Sequence, residues 1–97
     1  MAVRLDLNNP VFQRLWFACQ KQDRIAVLNC CVKLASMEWN DIYLDRGLHW
    51  ELIQSRTAPG GERIYSIRVS QEIRAAVKRS GDFLEFLTLH ADHDSAY

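Results

Sequence analysis

Apolar and polar positions alternate over Ala2 to Leu7, with Val3, Leu5 and Leu7 on one side, and this predicts a first strand. Asn9-Pro10 then opens a helix. Asparagine is a good cap, and proline suits the first helical position because its missing N–H would have no partner there. Val11, Phe12, Leu15, Trp16 and Cys19 recur at helical spacing. Lys21-Gln22-Asp23 reads as a break, with Asp23 capping a second helix. In that helix Ile25, Leu28, Val32 and Ala35 form one stripe, which Val27, Cys31 and Leu34 widen. The pair predicts a helical hairpin laid on a sheet through Phe12, Leu15, Trp16, Ile25, Leu28 and Val32.

Residues 39–47 carry turn formers around Ile42, Tyr43 and Leu44 and read as a loop with room for one helical turn. Leu48 to Gln54 predicts a strand with Leu48, Trp50 and Leu52 on one face and His49, Glu51 and Ile53 on the other. Thr57 to Gly61 is a loop by composition. Three strands follow, over about 63–69, 72–79 and 83–90, the last two joined by a Ser80-Gly81-Asp82 hairpin turn. The last strand is apolar on both faces, Phe83, Leu87 and Leu89 against Leu84 and Phe86, so it belongs inside the sheet. The fold class is therefore α+β, of order β-α-α-β-β-β-β. The helical hairpin packs on one face of a mainly antiparallel sheet. Strand 1 lies beside the last strand, and the second face stays open for a site.

The chain of 97 residues fits one domain, 1–97, and no repeat, low-complexity stretch or linker divides it. No apolar run approaches the ~20 residues that span a bilayer, so no membrane partner is expected. Charges interrupt the first residues, which do not read as a signal peptide. Three cysteines, two of them the neighbours Cys30 and Cys31, form no disulfide framework. They point to a reducing, cytoplasmic compartment and to buried, inert thiols.

Twelve basic residues balance twelve acidic ones. That argues against a general nucleic-acid binder. The distribution is uneven, however: residues 56–79 hold Arg56, Arg63, Arg68, Arg74, Lys78 and Arg79 against Glu62 and Glu72. Such a region is able to bind a local anion on a neutral protein. Arg68 shares a strand face with Ile64 and Ser66, opposite Tyr65, Ile67 and Val69. Arg74 lies in the next strand on the side of Glu72, Ala76 and Lys78. Two guanidinium groups on neighbouring strands are able to hold one phosphate by paired hydrogen bonds. The plainer reading is two solvated strand charges, paired with Glu72 or Glu85.

The last strand runs into His90, His93, Asp94 and Tyr97. Histidine is the general acid or base of neutral pH, and a carboxylate is able to orient it. The alternatives are a C-terminal helix cap at Asp94, or a metal site from His90, Asp92, His93 and Asp94. The metal reading lacks a paired ligand spacing, and no cofactor is called for. His49 reads as a surface residue, and Trp16, Trp39 and Trp50 as core residues or the lining of a partner-binding groove rather than base-stacking platforms.

The order of elements, the segments Ile64-Tyr-Ser-Ile-Arg68-Val and Ile73-Arg74-Ala-Ala-Val, the Ser-Gly-Asp turn and the ending His93-Asp-Ser-Ala-Tyr97 together resemble the RelE/ParE superfamily of bacterial toxins. Gly47-Leu-His-Trp-Glu-Leu-Ile is similar to the strand before the meander in a branch that ends in His-Asp-x-Ala-Tyr. The resemblance covers nearly the whole chain. It implies the toxin of a toxin–antitoxin pair, cytoplasmic and bound by a cognate antitoxin peptide. In the RelE branch it implies ribosome-dependent, metal-independent cleavage of messenger RNA, in which a ribose 2′-OH attacks the adjacent phosphate. Arg74 matches the family's arginine after the strand turn, Arg68 a basic position, and Tyr97 the C-terminal tyrosine. His93, steadied by Asp94, would be the acid or base. His90 and Lys78 would add contacts to RNA. Ser66 stands where RelE carries a lysine. The same fold also serves ParE-type toxins that bind DNA gyrase, and a module that has lost its chemistry.

Overall fold

The computed structural model describes residues 2–91. A five-stranded mixed sheet carries three helices on one face. Strand β1 is Arg4–Asp6, helix α1 Pro10–Ala18, α2 Lys21–Ala35 and α3 Trp39–Leu44. Strands β2 (Glu51–Thr57), β3 (Arg63–Arg68), β4 (Ile73–Ser80) and β5 (Phe83–Ala91) follow. The sheet order is β1-β5-β4-β3-β2. The short β1 runs parallel to β5, and the other pairs are antiparallel. As the pattern predicts, β5 is an interior strand next to β1.

Helix α1 begins as its sequence dictates. The Asn9 side chain accepts from the N–H groups of Val11 (2.9 Å) and Phe12 (3.3 Å), and Pro10 follows it. Phe12 is fully buried, its ring 5.0 Å from that of Phe86 in β5. The second helix starts earlier than expected. Gln20 occupies the cap position and Asp23 lies inside the first turn. The buried face of α2 also differs from the expected stripe. Val27, Cys30, Cys31 and Leu34 are buried, whereas Ile25, Leu28 and Val32 are 44, 50 and 64% exposed. The broad apolar pattern of α2 offers two faces. The one that packs presents compact thiols and Val27 to the sheet, and the earlier start of the helix changes nothing in that spacing.

The turn-rich stretch before β2 contains a third helix. The Glu38 N–H bonds to the Asp41 carboxylate at 3.3 Å, and Trp39 and Ile42 bury themselves in the main core. Asp45 ends it. Its carboxylate accepts from the Leu48 N–H at 2.8 Å and pairs with Lys33 at 3.2 Å. The Leu48 N–H, followed by Lys33, holds that carboxyl below the usual carboxylate range. His49 then takes φ 51°, a left-handed turn into β2. The β4–β5 hairpin closes on Gly81-Asp82. Gly81 has φ 62° while Asp82 stays at negative φ, the type II′ pattern that glycine satisfies at no steric cost.

One irregularity decides the geometry of the second face. Val77 pairs with Phe86 and Ala76 with Thr88, so Leu87 is an extra residue, a β-bulge in β5. Strict alternation would set Leu89 on the face away from Leu84 and Phe86. The bulge reverses the parity, and Leu84, Phe86 and Leu89 all enter the helix-side core. The second face is only partly open. Ile53, Ala58, Ile64 and Ala76 form a small buried cluster there, with Leu87 against it.

Candidate functional site

Beyond that small cluster the second face is polar. Arg68 in β3 stands directly across from Arg74 in β4, and Arg74 directly across from His90 in β5. The three form one row over three strands. The neighbouring row is Ser66, Ala76 and Thr88. Arg74 Nε donates to Ser66 Oγ at 2.8 Å, and Thr88 Oγ1 and His90 Nε2 are 2.7 Å apart. Ser66 is fully buried, and Arg68 Nε and Arg74 Nη2 are shielded from solvent. A guanidinium held as Arg74 is by Ser66 recognises a phosphate with little reorganisation.

The row depends on local sequence in three ways. Regular alternation in β3 and β4 puts Ser66 and Arg68, then Arg74 and Ala76, on this face. Ala76 is small enough to leave room between Ser66 and Thr88. The Leu87 bulge then turns Thr88 and His90 onto the same face, away from the core. Without it both would point at the helices. Like charges on directly opposed strand positions repel, and an anion lodged between Arg68 and Arg74 turns that repulsion into attraction.

Two cavities flank the row at this end of the sheet. One, about 550 Å³, has His90 in its wall together with Leu15, Ile73 and Leu89. The other, about 560 Å³, is bordered by Arg68, Lys33, Arg46 and Ser70. Gln71 belongs to both walls, so the β3–β4 connection separates them.

Of the residues singled out in the sequence, Arg68, Arg74 and His90 come together. Lys78 does not join them. Its ammonium lies 2.8 Å from Glu62 and 3.6 Å from Glu85, and the hydrogen bond it donates to Glu62 raises its own pKa and lowers that of Glu62. A phosphate at Lys78 would have to displace two carboxylates. His93, Asp94 and Tyr97 lie outside the described residues, as does Asp92. Thr88 enters the site as a positioning group that the sequence did not single out, and Ser66, noted in the sequence only for its difference from a RelE lysine, enters as another. The spacing Phe86-x-x-Leu89, with two residues between core-sized side chains where strict alternation puts one or three, was the available signal for the bulge.

Cys30 and Cys31 are buried as expected, whereas Cys19 is only half-buried. Burial pushes Cys30 up to about 12 and Cys31 up to about 11. His49 pairs with Glu51 at 2.9 Å, on exposed side chains remote in sequence from the row. Among the described residues no three His, Cys, Asp or Glu side chains gather as a metal-ligand set. Among the same residues no helix is long and apolar enough to cross a membrane. No family model matches the chain, and neither a curated protein nor a solved structure matches it.

Proposed function

We propose that the chain is a toxin of RelE type that cleaves messenger RNA on the ribosome without a metal ion. The observation that carries this reading is the row Arg68, Arg74 and His90, which the β5 bulge assembles on the sheet face away from the helices. In the proposed reaction a ribose 2′-OH gives its proton to a base and attacks the adjacent phosphorus. The P–O5′ bond breaks, and the leaving 5′-oxygen takes a proton. Arg68 and Arg74 bind the phosphate and stabilise the charge that grows on it. Thr88 orients the His90 imidazole, a proton donor or acceptor at the row's end. His93, Asp94 and Tyr97 are the terminal residues assigned to proton transfer. The products are a 2′,3′-cyclic phosphate and a 5′-hydroxyl.

The exposed apolar face of α1 and α2 supports the partner half of the proposal. Phe17, Ile25, Leu28 and Val32 are exposed on the helical hairpin, with Lys21 and Arg24 beside them. An antitoxin peptide with apolar anchors and acidic flanks fits such a surface.

A second reading has its own support. Ser66 occupies the position of a RelE lysine, and it is buried and bonded to Arg74. That favours a ParE-like gyrase-binding toxin or a catalytically degenerate module. Induction in a bacterial host separates the readings. Growth arrest with mapped breaks in messenger RNA supports the nuclease, and arrest with intact messages and stalled replication supports the gyrase binder.

A further inference from the structure

At the other end of the sheet, on the helix side, a cavity of about 410 Å³ is lined by Tyr43, Trp50, Arg63, Tyr65, Arg79 and Gly81. We propose that it is a second binding site, for one nucleotide unit of a single-stranded nucleic acid, with the base stacked on the rings and the phosphate on Arg63. The site stands apart from the proposed cleavage row. Arg79 follows Arg74 by five residues along β4, about 16 Å at strand rise, and an odd step puts it on the opposite face.

Three observations carry the assignment. The first is a built aromatic wall. Trp50 stacks on Tyr65 with ring centroids 4.5 Å apart and planes at 26°, and Tyr43 meets Trp50 edge-on at 5.3 Å. Tyr43 is 41% exposed, so the wall reaches solvent. The second is a fixed cation. Arg79 donates from Nε to the Gly81 carbonyl at 2.8 Å and from Nη1 to the Tyr43 hydroxyl at 2.7 Å. Its guanidinium also lies 4.2 Å from the centre of the Trp39 ring. It holds Tyr43 in place and keeps a positive charge at the cavity. The third is Arg63, which is exposed at the rim and whose guanidinium has no ion-pair or hydrogen-bond partner among the described residues.

These features choose the ligand's chemistry. No carboxylate is among the lining residues, and two guanidinium groups repel a cation, which excludes the ammonium ligands that aromatic cages otherwise take. Flat rings beside arginine suit a flat, anionic ligand. The volume lies within the range of about 300–1,000 Å³ of small-ligand sites. Trp50 therefore serves as a stacking platform here, whereas Trp39 is a core residue.

The test uses adenosine 5′-monophosphate with the full chain, read by the indole N–H resonance of Trp50. Saturable shifts are expected in wild type, with at least about tenfold weaker binding in Arg63→Gln, a surface change that leaves the fold alone. Adenosine alone and inorganic phosphate alone are each expected to bind at least about tenfold more weakly than the monophosphate. Arg74→Ala is expected to leave the Trp50 titration unchanged, which separates this site from the cleavage row whether or not the chain cleaves RNA. The proposal is overturned if Trp50 does not respond up to about 10 mM, beyond the weakest useful affinities, or if Arg63→Gln binds as wild type does. A response to an acidic hexapeptide but not to the monophosphate also overturns it, and marks the cavity as a protein-docking surface.

Discussion

Which face of α2 holds the molecule together is decided by two leucines, Leu34 and Leu28. Leu34 is fully buried and packs in the main core, whereas Leu28 is 50% exposed. Leu34→Ala removes buried methyl groups and leaves a cavity sealed between α2 and the sheet, at a cost of about 2–5 kcal/mol. Leu28→Ala loses roughly a third of the ~1.5–3 kcal/mol that a fully buried leucine gains from leaving water, because the side chain is half exposed and alanine keeps the Cβ, and it leaves no sealed void. Its expected cost is about 1 kcal/mol or less. With a slope near ~1 kcal/mol per molar urea for a small domain, the midpoint falls by about 2 M or more in Leu34→Ala and by under ~1 M in Leu28→Ala. Urea unfolding followed by circular dichroism measures both. Equal losses in the two variants, or a larger one at Leu28, would mean that the stripe Ile25, Leu28 and Val32 is the packed face. Leu28→Ala would then also be useless as a probe of the proposed antitoxin binding, for which its small folding cost now suits it.

Ser66 and Arg74 should couple. A double-mutant cycle of Ser66→Ala and Arg74→Ala in urea is expected to give on the order of 1–3 kcal/mol, since each single change strands a shielded polar partner; additive effects would dissolve the pair. Gly81→Ala should cost about 1–2 kcal/mol in the same assay, because a side chain at φ 62° is strained even though nothing crowds it; an unchanged midpoint would contradict the turn assignment. Stability should fall as pH rises above about 9. The unfolded Cys30 and Cys31 thiols ionise from their ordinary value of 9.0, while the folded ones resist until about 12 and 11, so the unfolded chain binds fewer protons across that window and gains on the folded one. Cys30→Ala in the Cys31→Ala background should flatten that limb, and an identical alkaline limb in the double variant counts against the thiols as its source.

Much of the architecture was legible because local chemistry and burial agreed. Asn9-Pro10 states a helix start that no packing overrides, and Gly81-Asp82 states a two-residue turn. Arg68 and Arg74 follow from plain alternation. Three features were not legible, each for a physical reason. The second helix is apolar on two sides, and periodicity alone does not choose between Leu28 and Leu34; packing against β1 does. Helix α3 is only six residues long, too short for periodicity, and its cap uses glutamate rather than the usual small polar residue. The bulge at Leu87 changes the parity of β5, and a strand apolar on both faces conceals such a change. His90 reaches the arginine row only through it. Lys78 looked like Arg74 in the sequence, and the difference between them is the loop that brings Glu62 alongside.

The measurement that bears most directly on the proposed function is the chemistry of the cut ends. Ribosomes programmed with a defined messenger are incubated with the purified chain, with Arg74→Ala, and with a messenger carrying a 2′-deoxy sugar at the cut site. Cleavage by wild type to a 2′,3′-cyclic phosphate and a 5′-hydroxyl is expected, with losses of at least about a hundredfold for Arg74→Ala, in line with removal of a group that stabilises transition-state charge, and for the deoxy message. Cut ends bearing a 5′-phosphate, cleavage that survives the 2′-deoxy sugar, or an Arg74→Ala variant as active as wild type would each contradict the assignment of the row Arg68, Arg74 and His90.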